Sequence, residues 1–178
     1  MTNKCVSIFT LSLLFFLAGL GVVEGWKSEA LAASGTGTTT ARVVDAISIS
    51  NSSVDLAFGS FTAGSSSGTI AVNASGTRSV TGGVTALAAS TKTAASFTVS
   101  GGSSCTYAIT LPSDSTVSLS DGATHTMALN SFVSSPTGTG TIGGGGTQTL
   151  TVGGTLSVGA NQTSGTYTGT FTVSVDYN

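Results

Sequence analysis

Between residue 33 and residue 178 the sequence holds a single histidine, His125, and no glutamate. A hydrolytic site of the Ser-His-Asp kind needs a base within reach of a nucleophile and an acid to orient it, so His125 would have to be that base. No Gly-x-Ser-x-Gly elbow surrounds it. Within Ala123-Thr124-His125-Thr126-Met127 the alternation puts it on the exposed or rim side of a strand. No catalytic residue is expected.

Metal chemistry is no better served. His125 and Cys105 alone do not make a zinc set, which needs four protein ligands in a structural site and three in a catalytic one. Asp114 and Asp121 flank a strand without the alternating oxygen ligands of a calcium loop, and read as turn formers. Gly143-Gly144-Gly145-Gly146 lacks the following Lys-Ser/Thr and the strand-to-helix context of a phosphate loop. No metal and no cofactor are expected. Asn51-Ser52-Ser53, Asn73-Ala74-Ser75 and Asn161-Gln162-Thr163 match the glycosylation acceptor pattern, but a Ser/Thr-rich chain produces such matches by chance, and no glycosylation is expected.

The N-terminus points to export. Lys4 precedes an apolar run over residues 6–23, and Ala30-Leu31-Ala32 follows a polar spacer; this is the order of a secretory signal peptide, residues 1–32, cleaved before Ala33. An uncleaved membrane anchor is the alternative, because the run approaches the length of a bilayer span. Cys5 precedes the run and leaves with the signal. The remaining 178 − 32 = 146 residues are the size of one domain: a flexible leader over 33–40 and a single β-domain over 41–178. Arg42, Arg78 and Lys92 stand against Asp45, Asp55, Asp114, Asp121 and Asp176, a net charge of 3 − 5 = −2. With no basic cluster, neither a nucleic acid nor an anionic membrane surface is an expected partner.

The elements are read from period-2 alternation. Strands are expected over 41–50, 54–61 with an interruption at Gly59, 69–73, 95–100, 106–111, 116–120 and 125–133. Residues 51–53, 112–114 and 120–122 are turns and 63–68 a loop. Residues 74–83 are hard to read, 84–95 is a loop or short strand, and 134–146 a Gly/Thr loop or irregular edge. Residues 147–156 read as a strand or a hairpin around Gly153-Gly154. At the end, Phe171, Val173, Val175 and Tyr177 alternate with Thr172, Ser174 and Asp176, a strand with one buried face. Short strands at roughly 8–12-residue spacing argue for an all-β sandwich, with an immunoglobulin-like Greek key preferred to a β-solenoid. Charged residues make up only 7% of the chain, so its strand edges lack the charges that discourage edge-to-edge pairing.

Gly165, the alternating strand and the penultimate Tyr177 resemble the C-terminal motif of bacterial chaperone–usher pilus subunits. The segment Val43-Val44-Asp45-Ala46-Ile47-Ser48-Ile49-Ser50, followed by Val54-Asp55-Leu56-Ala57-Phe58-Gly59-Ser60-Phe61, is similar to the opening of the spore coat U and archaic pilin families. It resembles even more closely an uncharacterised family of secreted Gram-negative β-domains related to them. Ser96-Phe97-Thr98-Val99 and Tyr107-Ala108-Ile109-Thr110-Leu111-Pro112 extend the likeness over nearly the whole mature chain.

The resemblance implies a non-enzymatic, pilin-like structural subunit of a surface fibre, exported to the periplasm and then to the cell surface or medium. Its sandwich would lack a strand, supplied first by a periplasmic chaperone at an outer-membrane usher and then by the next like subunit. The assembly groove would be Phe171, Val173, Val175 and Tyr177, with Tyr167 beside them and Gly165 and Gly169 permitting close approach. The donor would lie in 33–44, where Ala41 and Val43 are the apolar residues on the matching alternation. Thr36, Thr38 and Thr40 offer a donor little, which keeps open a self-contained secreted or surface module, adhesive or not, that does not polymerise. The relatives' disulfide is implied to be absent: Ile47 stands where its first cysteine would be. Cys105 is then a free thiol, an intermolecular bridge or a buried inert residue.

Overall fold

The computed structural model describes residues 32–178; the expected signal peptide, Ala32 apart, lies outside the described residues. Residues 32–40 are exposed and unpaired by strand ladders. Ala41–Asn178 forms one compact unit in which ten strands and no helix occur among the described residues: β1 (Ser48–Val54), β2 (Phe61–Val72), β3 (Arg78–Ala86), β4 (Ala95–Ser100), β5 (Thr106–Thr110), β6 (Val117–Ser120), β7 (Thr126–Ser135), β8 (Thr139–Thr141), β9 (Thr147–Val158) and β10 (Ser174–Tyr177).

Two antiparallel sheets form a sandwich-like arrangement. Seven strands make the larger sheet and β10-β5-β8 the smaller. The larger is organised on β9, which is a single strand and not a hairpin. Along one edge its residues 147–152 pair with β4 and its residues 154–158 with β2, while β7 pairs along the other edge. The change of partner falls at Gly153. A Cβ there would collide with the Val72 carbonyl oxygen and the Asn73 backbone, so only glycine lets β2 close on β9 at the point where β4 leaves it.

Alternation then sorts side chains into two adjoining cores. Ile70, Val72, Val84, Leu156 and Val158 meet Val117, Met127 and Leu129 of the β6–β7 hairpin, with Phe58 closing over them. Val99, Leu150 and Val152 meet Tyr107, Ile142 and Val173 under the smaller sheet. Each aliphatic side chain buried in this way contributes ~1.5–3 kcal/mol. Phe132 and Phe171 pack against both cores and against each other, with ring centroids 5.3 Å apart.

Several local expectations give way to pairing. The expected 63–68 loop is the irregular middle of β2, where the register with β3 shifts between Ala63 and Gly68. The turn expected at 51–53 is a bulge inside β1, with Ser53 at φ 62° and its N–H donating to Asn51 Oδ1 at 2.8 Å. Residues 55–60 form no strand beyond the isolated Ala57–Thr93 bridge. Of the hard-to-read residues 74–83, 74–77 are a turn and 78–83 open β3, which runs on to Ala86 in the segment expected as a loop or short strand, and β8 emerges from the expected Gly/Thr loop.

Candidate functional site

β10 is the last strand of the smaller sheet. It pairs with β5 from Ser174–Thr110 to Tyr177–Tyr107, and Asn178 N–H donates onward to Thr106 O at 3.3 Å. Antiparallel geometry then aims the backbone groups of 174, 176 and 178 at β5 and those of 173, 175 and 177 the opposite way. Among the described residues no strand pairs with that second edge. The ladder begins only at Ser174 because the β5 line runs out into Pro112, which has no N–H. The continuous strand expected over 171–177 is therefore only partly realised: among the described residues 169–173 carry no backbone–backbone hydrogen bond, and before them Thr168 exchanges bonds of 2.8 and 2.9 Å with Ser120.

The expected groove residues divide into two groups. Val173 is buried, and Val175 and Tyr177 are half-buried, all against the core beneath the smaller sheet. Phe171 lies between the cores, 6.2 Å from Phe97 ring to ring in an edge-on contact. The Tyr177 hydroxyl accepts from Gly102 N–H at 2.6 Å and donates to Asp45 O at 2.7 Å, tying the end of β10 to the approach to β1. Gly169 abuts the Ser118 carbonyl of β6. Gly165 and Tyr167 instead line a separate cavity of about 680 Å³ with Leu56, Phe58, Leu119 and Met127. The donor candidates Ala41 and Val43 are in no strand; Val43 is 97% exposed, and the neighbouring Arg42 donates to Ser103 O at 2.9 Å.

Sequence reasoning missed the partners of Tyr177, because Asp45 and Gly102 act through their backbones and no residue type marks them. It also missed a His–Asp contact. His125 Nδ1 lies 2.6 Å from Asp121 Oδ2, and Asp121 Oδ1 accepts from Ala123 and His125 N–H at 2.8 and 3.3 Å. These bonds, the Ala123 amide first and the His125 side chain next, hold the Asp121 carboxyl below the usual carboxylate range. A histidine four residues after an aspartate across a Gly turn was the available signal. Asp114 lies at the other end of β6, where it accepts from Ser131 N–H at 2.6 Å at the β7 bulge. The Asn73 side chain accepts from Ser75 and Thr77 N–H within its own turn. Cys105 is a half-buried free thiol and Ile47 packs against the core beneath the smaller sheet. Tyr107 is fully buried, its hydroxyl donating to Gln148 Oε1 at 2.8 Å, and burial raises its pKa.

One family model spans residues 47–177, from the approach to β1 through to Tyr177. The chain belongs to the DUF4402 family. The description of that family is a domain of unknown function, so the DUF4402 match defines the extent of the domain and assigns no chemistry. No curated protein and no solved structure matches the chain.

Proposed function

We propose that this DUF4402 domain is an exported structural subunit that assembles by β-strand complementation along the outer edge of β10, and that the family is akin to spore coat U and the chaperone–usher pilus subunits. The carrying observation is that edge: the backbone groups of Val173, Val175 and Tyr177 face away from β5 while their side chains lie over the core. An added strand gains main-chain hydrogen bonds there and places alternate side chains on apolar surface. The partners on this reading are a periplasmic chaperone, an outer-membrane usher and like subunits, and the route is through the periplasm to the cell surface.

The second reading is a self-contained secreted or surface module. It is favoured by Val43, which presents no apolar face to anything, and by the Tyr177–Asp45 bond, which already ties the edge to the domain's own chain. Surface-fraction protein from the native host, run on a denaturing gel with and without boiling, separates the two. Complementation predicts a ladder of multiples that collapses on boiling and is lost in Val175→Asp. A monomer-sized band in both lanes for the wild type would refute assembly.

A further inference from the structure

The cavity between residues 56–63 and 162–167 is held open from both sides. Behind one wall the Arg78 guanidinium donates to Phe58 O at 3.0 Å, Ser60 O at 3.4 Å, Ser90 Oγ at 3.0 Å and Leu87 O at 2.7 Å. In the other wall Gln162 Nε2 donates to the Tyr167 hydroxyl at 2.9 Å, and that hydroxyl donates to Thr163 O at 2.9 Å. Asn161 N–H reaches Gly64 O at 2.8 Å where the walls meet. The space between them, about 680 Å³, is in the range of small-ligand sites. Its floor is core: Phe58, Met127 and Leu156, with the half-buried Leu56, Phe61 and Leu119 around them. Those three floor residues are already shielded from water, so it is the half-buried Leu56, Phe61 and Leu119 that gain by exchanging water for an apolar body.

The lining also defines charge and polarity. Among the described residues, no ionisable acid or base lines the cavity apart from the phenol of Tyr167. Arg78 is engaged by carbonyl and hydroxyl oxygens behind the wall. Asp121 sits beside Gly165 at the rim, where its charge opposes an anionic head, while both its oxygens are already engaged by the His125 turn and offer a cation little. Thr163, Ser164 and Thr166 supply hydroxyls at the mouth.

We propose that this cavity binds an uncharged amphiphile, its aliphatic or aromatic body against the half-buried Leu56, Phe61 and Leu119 above the Phe58–Met127–Leu156 core and its hydroxyl- or ester-bearing head at the Thr163–Thr166 rim. The site is distinct from the β10 edge and does not depend on assembly there. The test is titration of the purified full chain with the neutral fluorophore N-phenylnaphthylamine, followed by displacement with monolaurin and with laurate below their micelle thresholds. The expected result is saturable enhancement, displacement by monolaurin at a concentration at least about tenfold below laurate, and a rise in Tm with monolaurin by mass action. Ala63→Trp, which fills the cavity, and Thr166→Arg, an exposed change at its mouth that does not depend on core repacking, both weaken the probe by at least about tenfold, while Val175→Asp keeps it. Absence of saturable enhancement in the wild type overturns the site. So does unchanged probe binding in Thr166→Arg together with a cooperatively melting Ala63→Trp, or loss of the probe in Val175→Asp alone. Equal displacement by laurate overturns the assignment of an uncharged ligand.

Discussion

Tyr177→Phe isolates what the terminal tyrosine does for the fold. The change keeps the half-buried ring over the core and removes one oxygen, and with it the 2.6 Å bond from Gly102 N–H and the 2.7 Å bond to Asp45 O. Gly102 is buried, so its N–H loses its partner without gaining water, whereas Asp45 is exposed and its carbonyl is resolvated. A typical hydrogen bond is worth ~1 kcal/mol net, and an orphaned buried donor costs ~1–3 kcal/mol. The sum is a loss of about 2 kcal/mol, which for a domain of this size lowers Tm by roughly 6 °C. Thermal unfolding followed by circular dichroism at neutral pH measures the shift. Amide exchange localises it: protection should fall at Gly102 and hold along β5. Tyr167→Phe is the control, since its hydroxyl bonds at the cavity rim are replaceable by water and the change stays within about 1 kcal/mol. A Tm within about 1 °C of wild type, with Gly102 still protected, would refute the assignment of Tyr177 as the tie between β10 and the approach to β1.

Gly153→Ala drives a methyl group into the Val72 carbonyl where β9 changes partner; a loss of ~1–3 kcal/mol is expected by denaturant unfolding, and an unchanged midpoint would show that β2 can retreat without penalty. Asp121→Ala removes a carboxylate whose folded-state pKa is depressed. The stabilisation that shift represents is present above the unfolded value near pH ~4 and is lost as pH falls through the lower folded value. The wild type should therefore lose Tm more steeply than the variant on acidification below about pH 4, and parallel Tm–pH curves would rule the linkage out.

Legibility in the sequence followed how local the information was. β4, β5, β6 and β7 were readable to within a residue or two because apolar and polar residue types alternate along them, as Phe97, Val99 and Ser96, Thr98 do in β4 and as Met127 and Leu129 do in β7 before its bulge. The second half of β2 was readable over 69–73 from Ile70 and Val72, but its first half and β3 were not, because Gly64, Ser65, Ser66, Ser67, Gly68, Gly82 and Gly83 carry no alternation; there the two strands exist because each satisfies the other's backbone. Residues 147–156 read equally as a strand or a hairpin because Gly153-Gly154 is ordinary turn chemistry, and only the approach of the Val72 carbonyl explains a glycine in mid-strand.

The sequence alone determined that this chain is an all-β domain with a low-charge, hydroxyl-rich surface and an apolar-alternating last strand, since these follow from residue type and spacing. Tertiary structure decided which segments are neighbours. It joined Tyr177 to Asp45 across 132 residues, left the outer edge of β10 without a partner among the described residues, and separated Gly165 and Tyr167 from Val173 and Val175 by opening a cavity beside the former pair. Backbone hydrogen bonds are blind to side-chain identity, so their long-range pairing is set by the packing of the two cores and is written in no single stretch of the chain.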